Sequence, residues 1–567
     1  MYKRQVQETK VQLGISDAQV GHGDGTVTDV VVRTGANKLH GAAYYVFQDT
    51  YLNANTYDKA GLGQPRNNDQ VSQTGLVIDG PVVLPKIYNG RDKTFFMFSF
   101  ERYATHTAQN YTTRVPTAAE LGGDFSGLCS AFNAAGLCTS GVQLYVPNSP
   151  VDSNGNRTMY YANNNIASTI NATGRALSSY FPASNVPGST ALTPVNYVST
   201  QTSYPSTYPS FIGRFDHAFG EKNKVSIVGF RSGLTQSYPL EGFPKGIGPT
   251  NSSTAYGYAV RRNNRGGSID DVQQFSSSMV LDSRFGVDYH PFSLVYPGSS
   301  GFNLSSLGIT TSGLPYNSFP GEYMNSDGYV GLAPGAGGQV STNAVTSLDE
   351  ILSKTWGRHS VRFGFEGDLT RYNVQNPESG FDINSQSGAG FVFDRSFTQQ
   401  NVTVPVGSEA NSGDPMADLL LGYFTTANYN ISIAYALQQI YAAPYVQDDW
   451  RVNNKLTLNL GGRWDYESPF TERYNRLISN FCTTCANPLQ VSGLPLNGGL
   501  QFVTPTDRTP YPRDLHNWQP RLGAAYQAYP TTVVRAGFGI IYFNTLETPF
   551  SSGFSQSTSY TLSLIHI

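Results

Sequence analysis

The segment LTLNLGGRWDYE, from Leu456 to Glu467, decides the fold. Every second side chain is apolar or small, and those between are polar, charged or glycine, which is the period of a β-strand. Its 12 residues are enough to cross a bilayer, because a tilted membrane strand needs about 9–11 residues. The segment therefore predicts either a strand of an outer-membrane barrel or a surface strand of a soluble barrel or sandwich. Alternation alone does not tell which face meets water.

The charged residues of this segment indicate how it would face a membrane. Arg463, Asp465 and Glu467 share one face, and the other face carries leucines at positions 456, 458 and 460. An arginine on the lipid face near the midplane costs about 2–4 kcal/mol. We therefore expect the charged face to line a polar lumen and the leucine face to meet lipid. Runs at 361–369 and 534–542 repeat the pattern.

Composition narrows the class of protein. Charged residues make up 14% of the 567 residues and aromatic residues 13%, whereas about 25% charged is typical of soluble domains. The net charge of −3 argues against a nucleic-acid partner, which usually requires a basic surplus. The sequence contains no apolar stretch long enough for a transmembrane helix. If the chain lies in a membrane it must form a barrel, because only helices and closed barrels satisfy the backbone there.

The spacing of strand-like runs favours the membrane barrel over the sandwich. Short gaps follow the even strands and long gaps follow the odd ones, which is the asymmetry between periplasmic turns and extracellular loops. A soluble sandwich has no reason to keep that rule. The sequence predicts about thirteen strands, near residues 38–48, 70–82, 93–106, 208–219, 223–236, 260–275, 278–290, 343–356, 359–374, 434–451, 455–470, 516–528 and 531–543.

The four cysteines form two close pairs, Cys129 with Cys138 and Cys482 with Cys485. They stand in stretches rich in Gly, Asn, Ser and Pro rather than in strand-like runs. Cys-x-x-Cys can indicate zinc or a redox couple, but a structural zinc site needs further soft ligands and no histidine is near in sequence. We expect two disulfides in extracellular loops, since both pairs follow odd-numbered strands and an exported compartment permits oxidation.

The sequence offers no catalytic, cofactor-binding or metal-binding residues, so we expect no enzyme. The eight histidines are scattered, and phosphate-loop and nucleophile-elbow motifs are absent. The segment 21–25, GHGDG, predicts a tight turn before a strand-like run. Asp448 and Asp449 are adjacent and would point to opposite faces of a strand, so they cannot share a substrate.

The stretch 146–210 is rich in proline and tyrosine, and two interpretations stay open for it. One is a solvated surface loop. The other is a loop that captures a ligand through tyrosines at 161, 180, 197, 204 and 208. Ligand-binding residues are not assigned.

Four segments resemble TonB-dependent outer-membrane receptors of the Oar-like group. They are GTVTDVVVRTGANKLHG (25–41), KTFFMFSFE (93–101), YVQDDWRV with LTLNLGGR (445–463), and PRLGAAY with VRAGFG (520–539). The resemblance implies an all-β fold: a partial antiparallel transmembrane β-barrel with about 13 of 22 strands, preceded by the tail of an N-terminal plug domain. It places the plug remnant at 1–36 and the truncated barrel with its extracellular loops at 37–561.

The same resemblance implies a function and partners. These are energised uptake of an oligosaccharide, siderophore or peptide, coupling to an inner-membrane TonB complex, and contact with outer-membrane lipid, with no cofactor. Two alternatives stay open: an Oar-like surface or adhesion protein without transport, and a secreted β-rich carbohydrate-active protein. Residues 1–5 and 562–567 resemble translated sequencing adapters, so we expect an interior fragment whose first and last strands have unpaired edges and which aggregates when expressed alone.

Overall fold

The structure is a computed structural model. It describes residues 6–13, 17–21, 26–55, 57, 60, 66, 68–109, 112–199, 202–237, 243, 245, 247–249, 259–295, 302–310, 319–324, 328–333, 339–375, 390–405, 409, 411–428, 434–487, 492–542 and 559–561. The end segments 1–5 and 562–567, and most of the expected turn at 21–25, lie outside these residues.

Thirteen long strands form one antiparallel sheet in which each strand pairs with the next along the chain. The number, order and approximate positions confirm the strands expected from the sequence. They are β3 His40–Gln48, β4 Gln70–Pro81, β5 Thr94–Gln109, β6 Thr202–Ala218, β7 Asn223–Ser237, β8 Ala259–Ser276, β9 Met279–Val295, β10 Gln339–Trp356, β11 His359–Gln375, β12 Tyr435–Arg451, β13 Leu456–Trp464, β14 Trp518–Tyr529 and β15 Thr532–Gly539, preceded by the N-terminal strands β1 Val6–Leu13 and β2 Thr26–Val32.

The connections obey the predicted alternation. Tight turns join β6 to β7, β8 to β9, β10 to β11, β12 to β13 and β14 to β15, and the long connections all leave the opposite edge. Exposed aromatic side chains cluster beside the tight turns, as in the aromatic girdle of a membrane barrel. They include Phe219, Phe275, Trp356 and Tyr529.

One predicted strand extends nearly to its expected end, and another begins earlier than expected. The strand expected at 455–470 continues past Trp464 and, after Asp465, pairs with β12 in an unchanged register as far as Glu467. The strand expected from residue 208 begins at Thr202 and includes two prolines. Pro209 fits because the pairing between β6 and β7 skips from Thr207 to Ser210, so a position without a ladder donor is tolerated there.

The sheet has two chemically different faces. The inner face, defined as the one that contacts residues 17–21 and 32–35, carries the charged residues that hold these segments, among them Arg214, Arg362 and Arg463. The outer face carries exposed apolar side chains at alternate positions, among them Phe98, Phe215, Ile227, Ile269, Phe285, Val287, Leu348, Phe363, Ile440, Val446, Leu460, Leu522 and Phe538. Leu460 lies on the outer face and Arg463 on the inner face, as predicted.

Strands β1 and β2 pair antiparallel with each other, and residues 17–21 and 32–35 lie against the inner face. In the described part of the chain, β3 pairs only with β4 and β15 only with β14. None of the helices in the described residues is long and apolar enough to cross a membrane.

The long connections pack together into one body, here called the loop unit, made of the described residues within 112–199, 302–333 and 390–428. Its helices are α1 Ala118–Leu121, α2 Ala172–Ser178 and α3 Pro415–Leu421. One apolar core, the loop core, joins all three segments and includes Phe125, Ile166, Leu177, Leu304, Phe319, Leu332, Phe391, Met416, Leu419 and Leu420. Within the stretch 146–210, Tyr197 is buried in this core and Tyr161 and Tyr180 pack against it, so these three tyrosines have a structural role, while much of the rest is exposed.

Short strands complete the structure. They are Val83–Leu84, Tyr88–Asn89, Thr112–Thr113, Cys129–Phe132, Cys138–Gly141, Tyr197–Val198, Gly248–Pro249, Glu322–Met324, Leu332–Ala333, Phe391–Phe393, Thr426–Asn428, Tyr466–Glu467, Thr471–Glu472, Ile478–Ala486, Asn497–Phe502 and Ser559–Thr561.

Candidate functional site: a polar contact between the N-terminal segment and the sheet

Residues 17–21 form a short bend that the inner face holds by its backbone. Ala18 is fully buried, and its N–H donates to Gln447 Oε1 at 3.1 Å. Arg463 Nη1 donates to the carbonyl oxygens of Ala18 and Gln19, each at 3.2 Å. Arg521 Nη2 donates to Val20 O at 3.4 Å. The sheet thus recognises this segment mainly through main-chain groups, which constrains its path more than its sequence.

Arg463 is the centre of the contact. Its side chain has no exposed surface, and its Nε donates to Asp465 Oδ1 at 2.7 Å. Its Nη2 donates to Tyr441 Oη at 2.6 Å and to the Glu366 carboxylate. A buried guanidinium requires such partners, because an uncompensated charge inside a protein is very costly.

A second layer of residues orients this cluster. Gln519 Nε2 donates to Asp465 Oδ2 at 2.5 Å, and Arg521 Nη2 donates to Gln519 Oε1 at 2.7 Å. These hydrogen bonds form a continuous series from Arg463 through Asp465 and Gln519 to Arg521, which couples β13 to β14.

Arg362 fixes the start of the segment. Its Nη1 lies 2.9 Å from Asp17 Oδ2 and its Nη2 lies 3.2 Å from Asp449 Oδ2. Asp448 points to the other face, where it pairs with His359 at 2.7 Å. The expectation that these two adjacent carboxylates serve different faces is confirmed.

A second contact lies where the N-terminal segment leaves the lumen. Arg214 Nη1 donates to Val32 O at 2.8 Å, while its other nitrogens hold the buried Asp216 carboxylate at 2.9 Å. Gly35 passes so close to the wall that an added Cβ would lie 2.6 Å from Phe96 O. A larger residue at position 35 would push the segment away from the sheet.

A cavity of about 250 Å³ separates the N-terminal segment from the wall beside this contact. Its lining is mostly charged and includes Lys10, Asp17, Asp29, Asp282, Arg284, Asp349 and Glu366. Part of the interface is therefore open to water.

The sequence identified some of these groups. It placed Arg463, Asp465 and Glu467 on the luminal face, and the first two form the centre of the contact. It did not identify Gln447, Gln519 or Arg521 as their partners, because those pairings depend on the register between strands. The isolated charged residues in otherwise apolar strands were the available signal.

In the loop unit, charged groups connect the three loop segments, and Arg157 Nη1 links the first to the third by donating to Ser396 O at 3.2 Å. Glu120 accepts from Tyr329 Oη at 2.6 Å, and the Arg114 guanidinium lies 3.9 Å above the Tyr329 ring. Asp418 accepts from Thr398 Oγ1 at 2.7 Å and from the Phe397 N–H at 3.0 Å. These buried bonds fix one loop arrangement. In the described residues no cluster of three or more His, Cys, Asp or Glu is arranged to hold a metal ion.

The cysteines stand in short strands of loop hairpins, so the expectation that they lie outside strands was wrong. Cys129 and Cys138 occupy the paired strands Cys129–Phe132 and Cys138–Gly141, and Cys482 and Cys485 share the strand Ile478–Ala486. The local reason is visible at Asn133, whose side chain caps the tight turn by accepting from Ala135 N and Leu137 N. The structure joins each pair as a disulfide. Their oxidised state on the extracellular side stays a prediction.

Glu322 gives the loop unit a pH-dependent stability. The residue is fully buried, and in the described part of the chain neither carboxyl oxygen has a hydrogen-bond partner. Burial raises the pKa of the Glu322 carboxyl well above its ordinary value of 4.5. A raised pKa means that the folded state binds the proton more tightly, so the stabilisation is full below pH 4.5 and is lost as the pH rises towards the folded pKa.

We expect Glu322→Gln to be more stable than the parent protein at pH 8 and similar to it at pH 4. The difference should be about 1.4 kcal/mol for each unit by which the pKa is raised. Hydrogen exchange of residues 391–393 and 415–421, measured at several pH values, reports this stability. In Glu322→Gln the change of stability with pH should become smaller but not disappear, because burial also raises the pKa of Asp418. Asp124→Asn, at an exposed position of the same unit, is the control. Equal pH slopes for Glu322→Gln and the parent protein would contradict the assignment.

Comparison with protein families identifies the family to which this sheet belongs. The outer membrane β-barrel domain family matches residues 31–564. The chain belongs to that family. The sheet is thus the wall of an outer-membrane barrel, and the protein is located in the bacterial outer membrane. The family is a membrane barrel domain, which leaves no support for the secreted carbohydrate-active alternative.

Solved structures with a similar chain path are outer-membrane proteins. The outer membrane transporter YddB from Escherichia coli has a TM-score of 0.47 at 10% identity, and the match covers 95% of this chain and 48% of that chain. The ferripyoverdine receptor of Pseudomonas aeruginosa gives 0.44 at 9% identity, covering 94% and 46%. The siderophore receptor PirA from Acinetobacter baumannii gives 0.39 at 10%, covering 94% and 48%. The chain spans about half the length of these structures. No curated protein matched it.

Proposed function

We propose that this chain is part of a TonB-dependent outer-membrane transporter, which takes up an extracellular oligosaccharide, siderophore or peptide. The observation that carries the proposal is that residues 17–21 and 32–35 of the N-terminal segment lie against the inner face and are held there by arginines. A segment in that position obstructs the lumen, and uptake requires that it move. In this proposal an inner-membrane TonB complex supplies the energy for that movement.

The domain division follows from the same proposal. Residues 6–36 are the end of a plug domain and residues 37–561 are barrel wall and loops. In this proposal the loop unit, whose segments leave the long-loop edge of the sheet, captures the ligand, and the charged cavity beside residues 17–21 lies on the inner face. The charged groups on the inner face then form the wall along which the ligand passes.

A covalent tether between the segment and the wall tests this proposal. A Cβ built at Gly461 would lie 2.9 Å from the Cβ of Ala18, close to the ~3.5–4.5 Å of a disulfide. The pair Ala18→Cys with Gly461→Cys should therefore cross-link once the Gln447 side chain moves aside. In the complete protein we expect the oxidised double variant to lose energy-dependent uptake, and a reductant to restore it.

The single variants Ala18→Cys and Gly461→Cys are the controls for reduction of the native cysteine pairs and for any clash with Gln447. The substrate is found first by growth on a panel of oligosaccharides, iron siderophores and peptides, with and without the tonB gene. Uptake that continues unchanged when the tether is closed would exclude movement of this segment from transport.

The loop unit favours a second candidate function. An apolar core that joins three long loops builds a stable surface on the extracellular side, and such a surface suits an Oar-like adhesion protein. In that case the tethered variant would keep full surface adhesion. Cells with and without the protein would also grow equally well on every oligosaccharide, siderophore and peptide tested.

A further inference from the structure

The outer face carries three arginines near the long-loop edge. Arg231 on β7 and Arg265 on β8 stand directly opposite each other in the register of the sheet. Arg261 lies four residues from Arg265 on the same strand and therefore on the same face. These three residues are here called the outer arginine cluster.

The exposed apolar residues of the same strands establish the orientation of the cluster. Ile227, which is 44% exposed, lies four residues before Arg231, and Ile269, 48% exposed, lies four residues after Arg265. Side chains an even number of positions apart share a face. The cluster therefore projects from the lipid-facing side of the wall and not into the lumen.

The height of the cluster follows from strand geometry. Arg265 is about 12 residues from the tight turn between β8 and β9, and at ~3.3 Å per residue with a tilt of ~45° this is ~28 Å along the barrel axis. The apolar band of an outer-membrane barrel is ~25 Å tall. The cluster thus stands at the outer rim of the band, where lipid headgroups of the outer leaflet begin.

The charges of the cluster are not balanced by protein. Like charges directly opposite on neighbouring strands are destabilising. Arg231 Nε donates to the neutral Asn263 Oδ1 at 3.0 Å, and the Arg265 guanidinium lies 4.6 Å from the centre of the Tyr289 ring. Among the described residues no carboxylate forms an ion pair with Arg231, Arg261 or Arg265. On the inner face, by contrast, Arg214, Arg284 and Arg463 each pair with an aspartate.

We propose that the outer arginine cluster binds the phosphate group of an outer-leaflet lipid. Two adjacent guanidinium groups present several N–H donors in a geometry that matches phosphate oxygens. A phosphate between Arg231 and Arg265 would relieve their mutual repulsion. The Tyr289 ring and the apolar residues below would contact the acyl chains of the same lipid. Because the cluster lies at the outer rim of the apolar band, a phosphate that belongs to a membrane lipid fits it better than a soluble anion.

Lipid binding to the complete protein in detergent tests this proposal, with diphosphorylated lipid A as the probe and native mass spectrometry as the readout. We expect the double variant Arg231→Gln with Arg265→Gln to weaken binding by about tenfold or more, since each lost charge-assisted hydrogen bond costs ~1.5–3 kcal/mol. Lipid A without phosphate should bind the parent protein as weakly as the intact lipid binds the double variant.

Arg371→Gln is the matched control, because Arg371 is also an exposed arginine of the outer face and its Nε donates to the neutral Gln438 at 3.4 Å. An equal loss of binding in this control would overturn the proposal in favour of a diffuse positive belt. Displacement of the lipid by millimolar inorganic phosphate would also overturn it, because the cluster would then be a site for a soluble anion. The heat-modifiable migration of each variant verifies that it is folded.

Discussion

Replacement of Arg463 by alanine is expected to detach residues 17–21 from the inner face and to destabilise the protein by about 3–5 kcal/mol, the usual cost of breaking a buried ion pair. The Arg463 side chain has no exposed surface and the Asp465 side chain is only 4% exposed. Without the guanidinium, the Asp465 carboxylate stays buried beside Gln519 alone, and the carbonyl groups of Ala18 and Gln19 lose their donor. The free energy of unfolding in urea, followed by tryptophan fluorescence, and hydrogen exchange of residues 17–21 measure the two effects.

Two further variants give this experiment its controls. Arg371→Ala removes an exposed arginine from the outer face and is expected to change the stability by no more than about 0.5 kcal/mol. Arg463→Ala combined with Asp465→Asn removes the stranded charge as well, so it should recover part of the loss. A loss below about 1 kcal/mol in Arg463→Ala would mean that the contact holds the N-terminal segment only weakly.

The sheet was predictable because its cause is local. Alternation between apolar and polar side chains needs only the residues of one strand, and the turns are marked by Gly, Asn and Lys over two to four positions. Segments such as 223–236 and 359–374 were therefore placed within one or two residues of their observed ends. The two faces followed from the same pattern, as Asp448 and Asp449 illustrate.

The loop core was not predicted because its cause is not local. Phe125, Leu304 and Leu420 come from different loops, and no period in the sequence connects them. One signal was available: Asp414 accepts from Met416 N and Ala417 N as an N-cap, Pro415 occupies the first turn, and Gly422 ends the helix in the left-handed region. Asp-Pro before an apolar run that ends in Gly predicts a short buried helix.

The partners at the candidate site required the register between strands. Gln447 and Gln519 are ordinary polar residues in the sequence, and they become part of the site only because β12, β13 and β14 bring them beside Ala18 and Asp465. A shift of one residue would turn either side chain to the lipid face. The face on which a side chain lies could be predicted from the sequence of one strand. Its contacts could not, because they depend on how the neighbouring strands pair.

Replacement of Leu420 by alanine is expected to open the loop unit while the sheet stays folded. Leu420 is fully buried in the loop core, and its carbonyl accepts from Asn171 N at 2.8 Å where α3 meets the start of α2. Truncation of a buried leucine to alanine costs about 2–5 kcal/mol, because it removes apolar contacts and leaves a cavity. The loop unit carries this whole cost, since neither the strand pairing of the sheet nor the Arg463 cluster involves Leu420.

Limited proteolysis and gel migration separate these two effects. In Leu420→Ala we expect faster cleavage within 112–199 and 390–428, and unchanged heat-modifiable migration of the barrel. Leu192→Ala is the matched control, because Leu192 belongs to the same loop unit but is 62% exposed and should change cleavage little. If both variants were cleaved at the parental rate, the loop core would not be what holds the loops together. If Leu420→Ala abolished barrel migration, the loop unit and the sheet would have to fold as one cooperative body, and ligand capture above would then be mechanically coupled to the wall below.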